Sequence, residues 1–252
     1  MSKLDSKERF SDRVDNYMLF RPSYPSEAID FIVKECALTS DSQIADIGSG
    51  TGKFTQQLLE RELAVYAVEP NENMRKAADK SLAQCAGFQS VDASAENTPL
   101  PESSIDLITA AQAFHWFNRE VCKREWRRIL KPEGKIALIW NRREKSPGFM
   151  ADYENAIQQW CAEQPNVTHD KITADVFDDF FDSNYTISNF SWQQIFDFDG
   201  LWGRAQSSSY SPPPEHPNHE PLKTALQNLF TRYQSDGVVA FTYKTEIIIG
   251  KL

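Results

Sequence analysis

Asp46-Ile47-Gly48-Ser49-Gly50-Thr51-Gly52 closes one short apolar run, and Glu69 closes a second, Ala64 to Val68. A run ending in Asp-x-Gly-x-Gly-x-Gly predicts a strand that turns sharply into a helix, starting here at about Lys53. The glycines permit positive φ and let a ligand lie directly against the backbone. The helix then points free N–H groups and its positive dipole end at that ligand. An acidic residue at the end of the following strand is placed to take both hydroxyls of a ribose. The chemistry that this pattern serves is the binding of a nucleoside-containing cofactor.

Spacing separates the cofactor classes. A dinucleotide fingerprint is G-x-G-x-x-G, but counting from Gly48 puts Lys53 at the third glycine, and Gly52 arrives one residue early. A phosphate loop is G-x-x-x-x-G-K-[ST]; Gly52-Lys53 imitates its end, while Ile47 takes its first glycine position and Phe54 its hydroxyl position. Both fail, and the remaining reading is S-adenosyl-L-methionine (SAM).

The same loop resembles that of the class I SAM-dependent methyltransferases. The likeness continues through Val68-Glu69-Pro70-Asn71-Glu72-Asn73-Met74, Ala93-Ser94-Ala95-Glu96-Asn97-Thr98-Pro99-Leu100-Pro101, Ser104-Ile105-Asp106-Leu107-Ile108 and Leu130-Lys131-Pro132-Glu133-Gly134-Lys135. These blocks stand in the family's order across roughly residues 40–142. The resemblance implies that Gly48, Ser49, Gly50 and Gly52 pass under the aminocarboxypropyl part of SAM. It implies that Asp46 fixes the loop or reaches the ammonium through water, and that Glu69 binds the ribose O2′ and O3′ hydroxyls. Pro70 and Met74 would offer apolar surface to the adenine. Where the family often has Asp before an Ala-Glu pair, this chain has Ser94, Ala95 and Glu96, so adenine recognition shifts toward the Ala95 backbone. Gln112 would lie along the methionine moiety. Residues 1–25 also resemble the subset that includes trans-aconitate methyltransferase, in which the N-terminal segment folds over SAM. Tyr17 and Arg21 are then lid residues, with Arg21 reaching the SAM carboxylate or an anionic substrate.

Ala113-Phe114-His115-Trp116-Phe117 is the densest aromatic cluster, directly after the fourth expected strand. His115 is the candidate general base or orienting donor, since imidazole titrates near neutral pH; the competing reading is structural. His115, Trp116 and Trp140, with Arg21 or Arg142 at the rim, suit a small, partly apolar, anionic or carboxylate-containing acceptor. A SAM-binding regulator without turnover and a macromolecule methyltransferase stay open as alternatives. His216 and His219 lie in a proline-rich loop without a cysteine or carboxylate set, so no metal site is expected.

A net charge of −9 disfavours nucleic acid as a partner. No apolar run approaches the ~20 residues of a membrane span, and Met1-Ser2-Lys3-Leu4-Asp5 is not a signal peptide. Cys36, Cys85, Cys122 and Cys161 are widely spaced, which reads as reduced thiols and a cytoplasmic protein. Oligomeric state is not legible.

These residues need a scaffold. Helical spacing of Phe10, Val14, Tyr17 and Met18 predicts an amphipathic helix over 4–20, stopped at Arg21-Pro22-Ser23-Tyr24-Pro25. Ser26 is expected to cap a second helix reaching Ala37, with Ile29, Phe31, Ile32 and Val33 on its buried side. Strands are expected near 43–47, 64–68, 87–91, 105–110 and 135–140, with helices near 53–61, 72–84 and 119–130. That alternation implies a parallel sheet covered on both faces. Beyond Trp140 come a helix with Phe149, Tyr153, Ile157 and Trp160, a short helix near 173–182, and a strand over 185–196. A helix from Gly200 to Ser207, another near 219–234 and a strand over 239–250 follow. The expected fold is α/β, a Rossmann-like, doubly wound, mostly parallel seven-stranded sheet with a reversed C-terminal hairpin and helical cap elements. The whole chain, 1–252, reads as one domain: a lid (1–25), a SAM-binding core (40–142), and cap and substrate elements (143–240), with the final strand returning to the sheet.

Overall fold

The computed structural model describes residues 21–144, 146–161, 173–208 and 210–252. The expected helix over 4–20, and Tyr17 with it, lies outside the described residues.

Seven strands form one sheet in the order β3-β2-β1-β4-β5-β7-β6. They are β1 (Gln43–Ile47), β2 (Ala64–Val68), β3 (Phe88–Val91), β4 (Ile105–Ala111), β5 (Leu130–Arg143), β6 (Tyr185–Phe196) and β7 (Val239–Gly250). Parallel pairing joins β1 to β5, while β7 runs antiparallel to both β5 and β6. Six strands therefore share one direction and β7 alone is reversed. Chain order changes direction between β1 and β4, the topological switch point where ligands sit beyond the carboxyl ends of such strands. The glycine loop leaves β1 at that point.

Helices cover both faces, which is why β1, β2 and β4 read as nearly continuous apolar runs. One face carries α1 (Ser26–Glu35), α2 (Lys53–Leu59) and Leu82 of α3 (Glu72–Leu82), packed on Ile44, Val65, Leu107, Ile139 and Ile247. The other carries α4 (Arg119–Ile129) and the later α6 (Ala174–Phe181), packed on Ala45, Ile108, Ile136, Leu138 and Trp140. A third cluster lies where β5, β6 and β7 extend past the carboxyl edge of the other strands. It gathers α5 (Phe149–Trp160), α7 (Phe198–Gln206) and α8 (His219–Tyr233) around Phe241 and Tyr243.

Several expected boundaries move for local reasons. Ser26 does not cap α1: Pro25 holds the cap position without a side-chain bond, and the Ser26 hydroxyl instead accepts from Arg61 Nη2 at 2.9 Å. Phe31 and Val33 are partly rather than fully buried. Helix α7 begins at Phe198, before Gly200, because Asp197 Oδ1 accepts the Gly200 N–H at 2.8 Å. Strand β5 starts at Leu130; its register against β4 shifts between Ile105 and Leu107, and Pro132 sits in the irregular stretch, as proline in a sheet does.

Strand β6 is the edge strand and β7 is its inner neighbour, with all twelve residues of each in register. Phe180 joins α6 to the sheet, lying 4.8 Å from Phe114 and 5.7 Å from Trp126 between ring centroids. Phe180→Ala is expected to cost about 3–5 kcal/mol, the range for truncating a buried aromatic. Urea denaturation of wild type and variant checks it.

Candidate functional site

Gly48 and Gly52 hold φ of +71° and +81°, a conformation that L side chains rarely adopt. Space forbids a side chain there as well. A Cβ on Gly48 would stand 2.7 Å from Ala113 Cβ, and one on Gly52 would stand 2.6 Å from Leu82 Cδ1. The loop is tied to β2 from its first residues, since Gly48 N and Ser49 N donate to Val68 O at 2.8 and 3.1 Å. Inside it, the hydroxyl oxygens of Ser49 and Thr51 are buried and hydrogen-bond to no described residue.

Glu69 closes β2 and is 8% exposed. Its Oε2 accepts from Gly50 N at 2.9 Å and its Oε1 from Asn71 N at 2.8 Å. The carboxylate thus spans the glycine loop and the turn into α3. Asn71 caps α3 by accepting from Met74 N at 3.0 Å, and Arg75 Nη1 donates to Glu69 O at 2.9 Å. Met74 is buried, its sulfur 3.5 Å from where a Gly50 Cβ would stand. Pro70 is half-buried. Burial pushes the Glu69 carboxyl above the usual range, against the lowering effect of its two backbone donors and Arg75.

Asp46 is fully buried at the end of β1. Oδ2 accepts from the Thr55 hydroxyl of α2 at 2.6 Å, and Oδ1 from the Thr109 hydroxyl of β4 at 2.9 Å. Burial pushes this carboxyl up to about 6, although both hydroxyl bonds pull the other way. These bonds tie the end of β1 to α2 and to β4. Thr55 and Thr109 were not singled out from sequence; for Thr55, a hydroxyl in the first turn of the helix after the glycine loop would have been the signal.

After β3, Ala95 O accepts from Trp126 Nε1 at 3.0 Å, and Glu96 Oε1 accepts from Asn118 N at 3.0 Å. Glu96 thereby anchors the start of α4. Ser94 bridges to Asn97. Gln112 follows β4 with φ +58°; its N–H donates to Ile139 O at 2.8 Å and its Nε2 to Asn141 O at 3.2 Å. Asn141, not anticipated, is a hub: its Nδ2 donates to Ser23 O and its Oδ1 accepts from the Thr245 hydroxyl.

His115 lies in a short 3₁₀ turn, Phe114–Trp116, its ring 4.9 Å from that of the 39%-exposed Trp116. Trp140 corrects an expectation. It is 1% exposed and packs on Phe114 and Phe177, because its strand position points it into the α4–α6 layer. Arg142 pairs with Glu246 at 2.9 Å, and Arg21 Nη2 donates to Ser207 O at 3.3 Å. The loop, Glu69, Met74, Ser94 to Glu96, Gln112 and His115 all follow carboxyl ends of β1 to β4. Among the described residues no group of three or more His, Cys, Asp or Glu could hold a metal, and no helix is long and apolar enough to cross a membrane.

Residues 45–138 match a family model described as a methyltransferase domain. An uncharacterized methyltransferase of Mycobacterium bovis is 36% identical over 156 residues, covering 62% of this chain and 61% of the relative. One from Schizosaccharomyces pombe is 32% identical over 161 residues, covering 62% and 60%. The matches thus span about three fifths of the length of these relatives. A solved structure from Anaeromyxobacter dehalogenans, bearing a provisional type II methyltransferase name, superposes with a TM-score of 0.69 at 22% identity, covering 92% of this chain and 98% of that one. A phosphoethanolamine N-methyltransferase of Haemonchus contortus, solved with phosphomonomethylethanolamine and S-adenosylhomocysteine, superposes with a TM-score of 0.57 at 13% identity, covering 100% and 61%. At such identities the structural likeness speaks for the fold.

Asp46 makes stability depend on pH. Its folded value of about 6 lies above the ordinary aspartate value of 3.8, so in the window between them the folded protein holds a proton that the unfolded chain has lost. Its contribution is therefore present at low pH and lost as pH rises, by about 1 kcal/mol from pH 5 to 7. Subtracting the unfolding free energies of Asp46→Asn from those of wild type across that window should expose this slope, falling toward neutrality.

Proposed function

We propose that the protein is a class I methyltransferase that binds S-adenosylmethionine and methylates a small-molecule acceptor, a reading supported by the methyltransferase-domain match over residues 45–138. The observation that carries this reading is the bond from Gly50 N–H to the Glu69 carboxylate, which makes loop and acid one cradle. Each Glu69 oxygen receives one backbone N–H and keeps a lone pair, the requirement for taking two ribose hydroxyls with charge-assisted bonds. The buried, unpaired oxygens of Ser49 and Thr51 fit a ligand that brings donors to the loop, as the cofactor's ammonium would. Met74, held under Gly50, fits an adenine face. When bound, the cofactor supplies an electrophilic methyl group on a sulfonium.

The residues have distinct tasks in this reading. Gly48, Gly50 and Gly52 let the backbone approach, and Asp46 holds the loop rigid through Thr55 and Thr109. Pro70, Ser94, Ala95 and Glu96 border the base. Gln112, fixed to Asn141, lines the methionine end. Arg21, whose Nη2 donates to Ser207 O, would reach the carboxylate of the cofactor or an anionic acceptor. His115 accepts a proton from, or orients, the nucleophile of the acceptor. Methyl transfer asks mainly for alignment and exclusion of water, and the cap on β5 to β7 stands at that edge. The acidic balance of the chain and the S-adenosylhomocysteine complex of the Haemonchus contortus relative both support the assignment.

Calorimetry should show S-adenosylhomocysteine binding and no comparable binding of NADH. Glu69→Gln should weaken S-adenosylhomocysteine by about 1.5–3 kcal/mol, the scale of a hydrogen bond to a charged group, in a variant that remains folded. Tighter binding of NADH, or unchanged affinity in the variant, would place the cofactor elsewhere. Once an acceptor is in hand, His115→Asn should lower turnover about 10²-fold while S-adenosylhomocysteine affinity holds.

A further inference from the structure

Arg204 is a buried cation whose hydrogen-bond acceptors among the described residues are neutral hydroxyls. It sits on α7 and is 4% exposed. Its Nε donates to the Tyr243 hydroxyl at 3.3 Å, and its Nη1 reaches the hydroxyls of Ser207 and Ser208 at 3.4 and 3.5 Å. These acceptors are neutral and the distances are long for N–H···O bonds. Among the described residues no carboxylate pairs with it. Proteins pair their buried charges, and a guanidinium cannot escape by losing its proton. Compare Asp46 and Glu69, each of which is held by two short bonds.

The surroundings are built to the same end. Arg143, the last residue of β5, stands opposite Tyr243 in the β5–β7 register. Its guanidinium lies 5.6 Å over the ring of Tyr153 and pairs with Glu154 at 3.1 Å. Glu154 is thus engaged by Arg143, and among the described residues Arg204 has only hydroxyl acceptors. Tyr153 and Tyr243 are each 1% exposed. Arg21 reaches the same turn through Ser207 O. Burial pushes the Tyr210 phenol up, yet Arg143, Arg204 and the Ser208 hydroxyl outweigh it and hold that group below its usual value. The field here favours negative charge.

The cluster also lies at the right edge. Asn141 and Arg143 are two residues apart on β5, so they share a face with about 6.6 Å between them along the strand. Asn141 O carries the Gln112 side chain. Arg143 thus stands two residues along β5 from the one that holds Gln112, which follows β4.

We propose that Arg204, with Arg143, Tyr153 and Tyr243, binds a carboxylate of the methyl acceptor, a monoanion matched to one guanidinium whose acceptors among the described residues are hydroxyls. That the occupant is the acceptor rests on the methyltransferase reading; the anion site does not. A carboxylate whose lone pairs are held by a guanidinium is a poor nucleophile, so this group is the anchor. The methylated atom is a second nucleophile elsewhere in the same molecule.

The test uses the whole protein with succinate as probe, dimethyl succinate as its uncharged counterpart, and inorganic phosphate for comparison, all at constant ionic strength. Thermal shift should give a saturable rise with succinate, none with dimethyl succinate, and a weaker rise with phosphate. Arg204→Lys should weaken succinate about tenfold or more and Arg204→Gln should remove its effect, with S-adenosylhomocysteine affinity kept in both. A measurement on wild type covers the case in which the variants do not fold. Succinate should move the Tyr210 titration upward in ultraviolet difference spectra, and dimethyl succinate should leave it in place. No saturable response to succinate, a response preserved in Arg204→Gln, or preference for phosphate overturns the proposal. Binding of S-adenosylhomocysteine with no succinate effect fails this inference alone. Arg204-dependent succinate binding without S-adenosylhomocysteine binding fails the methyltransferase reading and leaves the anion site.

Discussion

The Asp46 carboxylate joins three elements: β1, which carries it, α2 through Thr55, and β4 through Thr109. Everything downstream of β1 is positioned from that junction. The loop must leave the strand with positive φ at Gly48, Gly50 and Gly52, and it must meet α2 at a fixed angle. A strand end bound to both the helix that follows and the neighbouring strand has no freedom to change that angle. The arrangement carries an electrostatic cost, because Asp46 is buried without a cation and lies near a second acid, Glu69, which raises it further. Two neutral hydroxyls offset part of that cost, and rigidity of the loop is what the remainder secures.

Glu69 extends the same logic by one strand. Its bonds to Gly50 N and Asn71 N tie the loop after β1 to the turn after β2, and Arg75 reinforces the turn through Glu69 O. Both acids therefore have a structural task in addition to any ligand. The distinction matters for interpreting substitutions at either place, since loss of the carboxylate releases backbone N–H groups as well as the ligand contact. Glutamine at position 69 keeps one acceptor and is the more informative change.

The cradle was legible in the sequence because its parts are consecutive. Asp46 to Gly52 and Val68 to Met74 are short stretches in which residue type, spacing and strand ending coincide, and β1, β2 and β7 fall at the expected bounds. Residues that meet through register were not legible. Asn141 and Thr245 are 104 positions apart and become neighbours only when β7 runs antiparallel to β5. Arg204 and Tyr243 are 39 apart and meet only once α7 has folded back over that strand. Trp140 illustrates the converse error: an aromatic beside a strand end looked like a site residue, yet strand alternation sends it into the core with Phe114 and Phe177. Neither Arg21 nor Arg142, the cations noticed from sequence, proved the most isolated charge; Arg142 has Glu246.

Gln112 shows how the two halves of the site are mechanically joined. A non-glycine residue with φ +58° carries strain that its surroundings must hold in place. Here the holding bonds go to β5: Gln112 N–H to Ile139 O, and Gln112 Nε2 to Asn141 O. Asn141 in turn takes Thr245 on β7 and gives to Ser23 in the segment entering α1, while Trp192 of β6 donates to the Thr245 hydroxyl. The turn after β4, the entry segment and the three strands that carry the cap therefore share one hydrogen-bonded hub. Two residues further along β5 stands Arg143, within the charged cluster under the cap. The β5 end at Asn141 to Arg143 therefore belongs both to the hub that holds Gln112 and to the cluster around Tyr243.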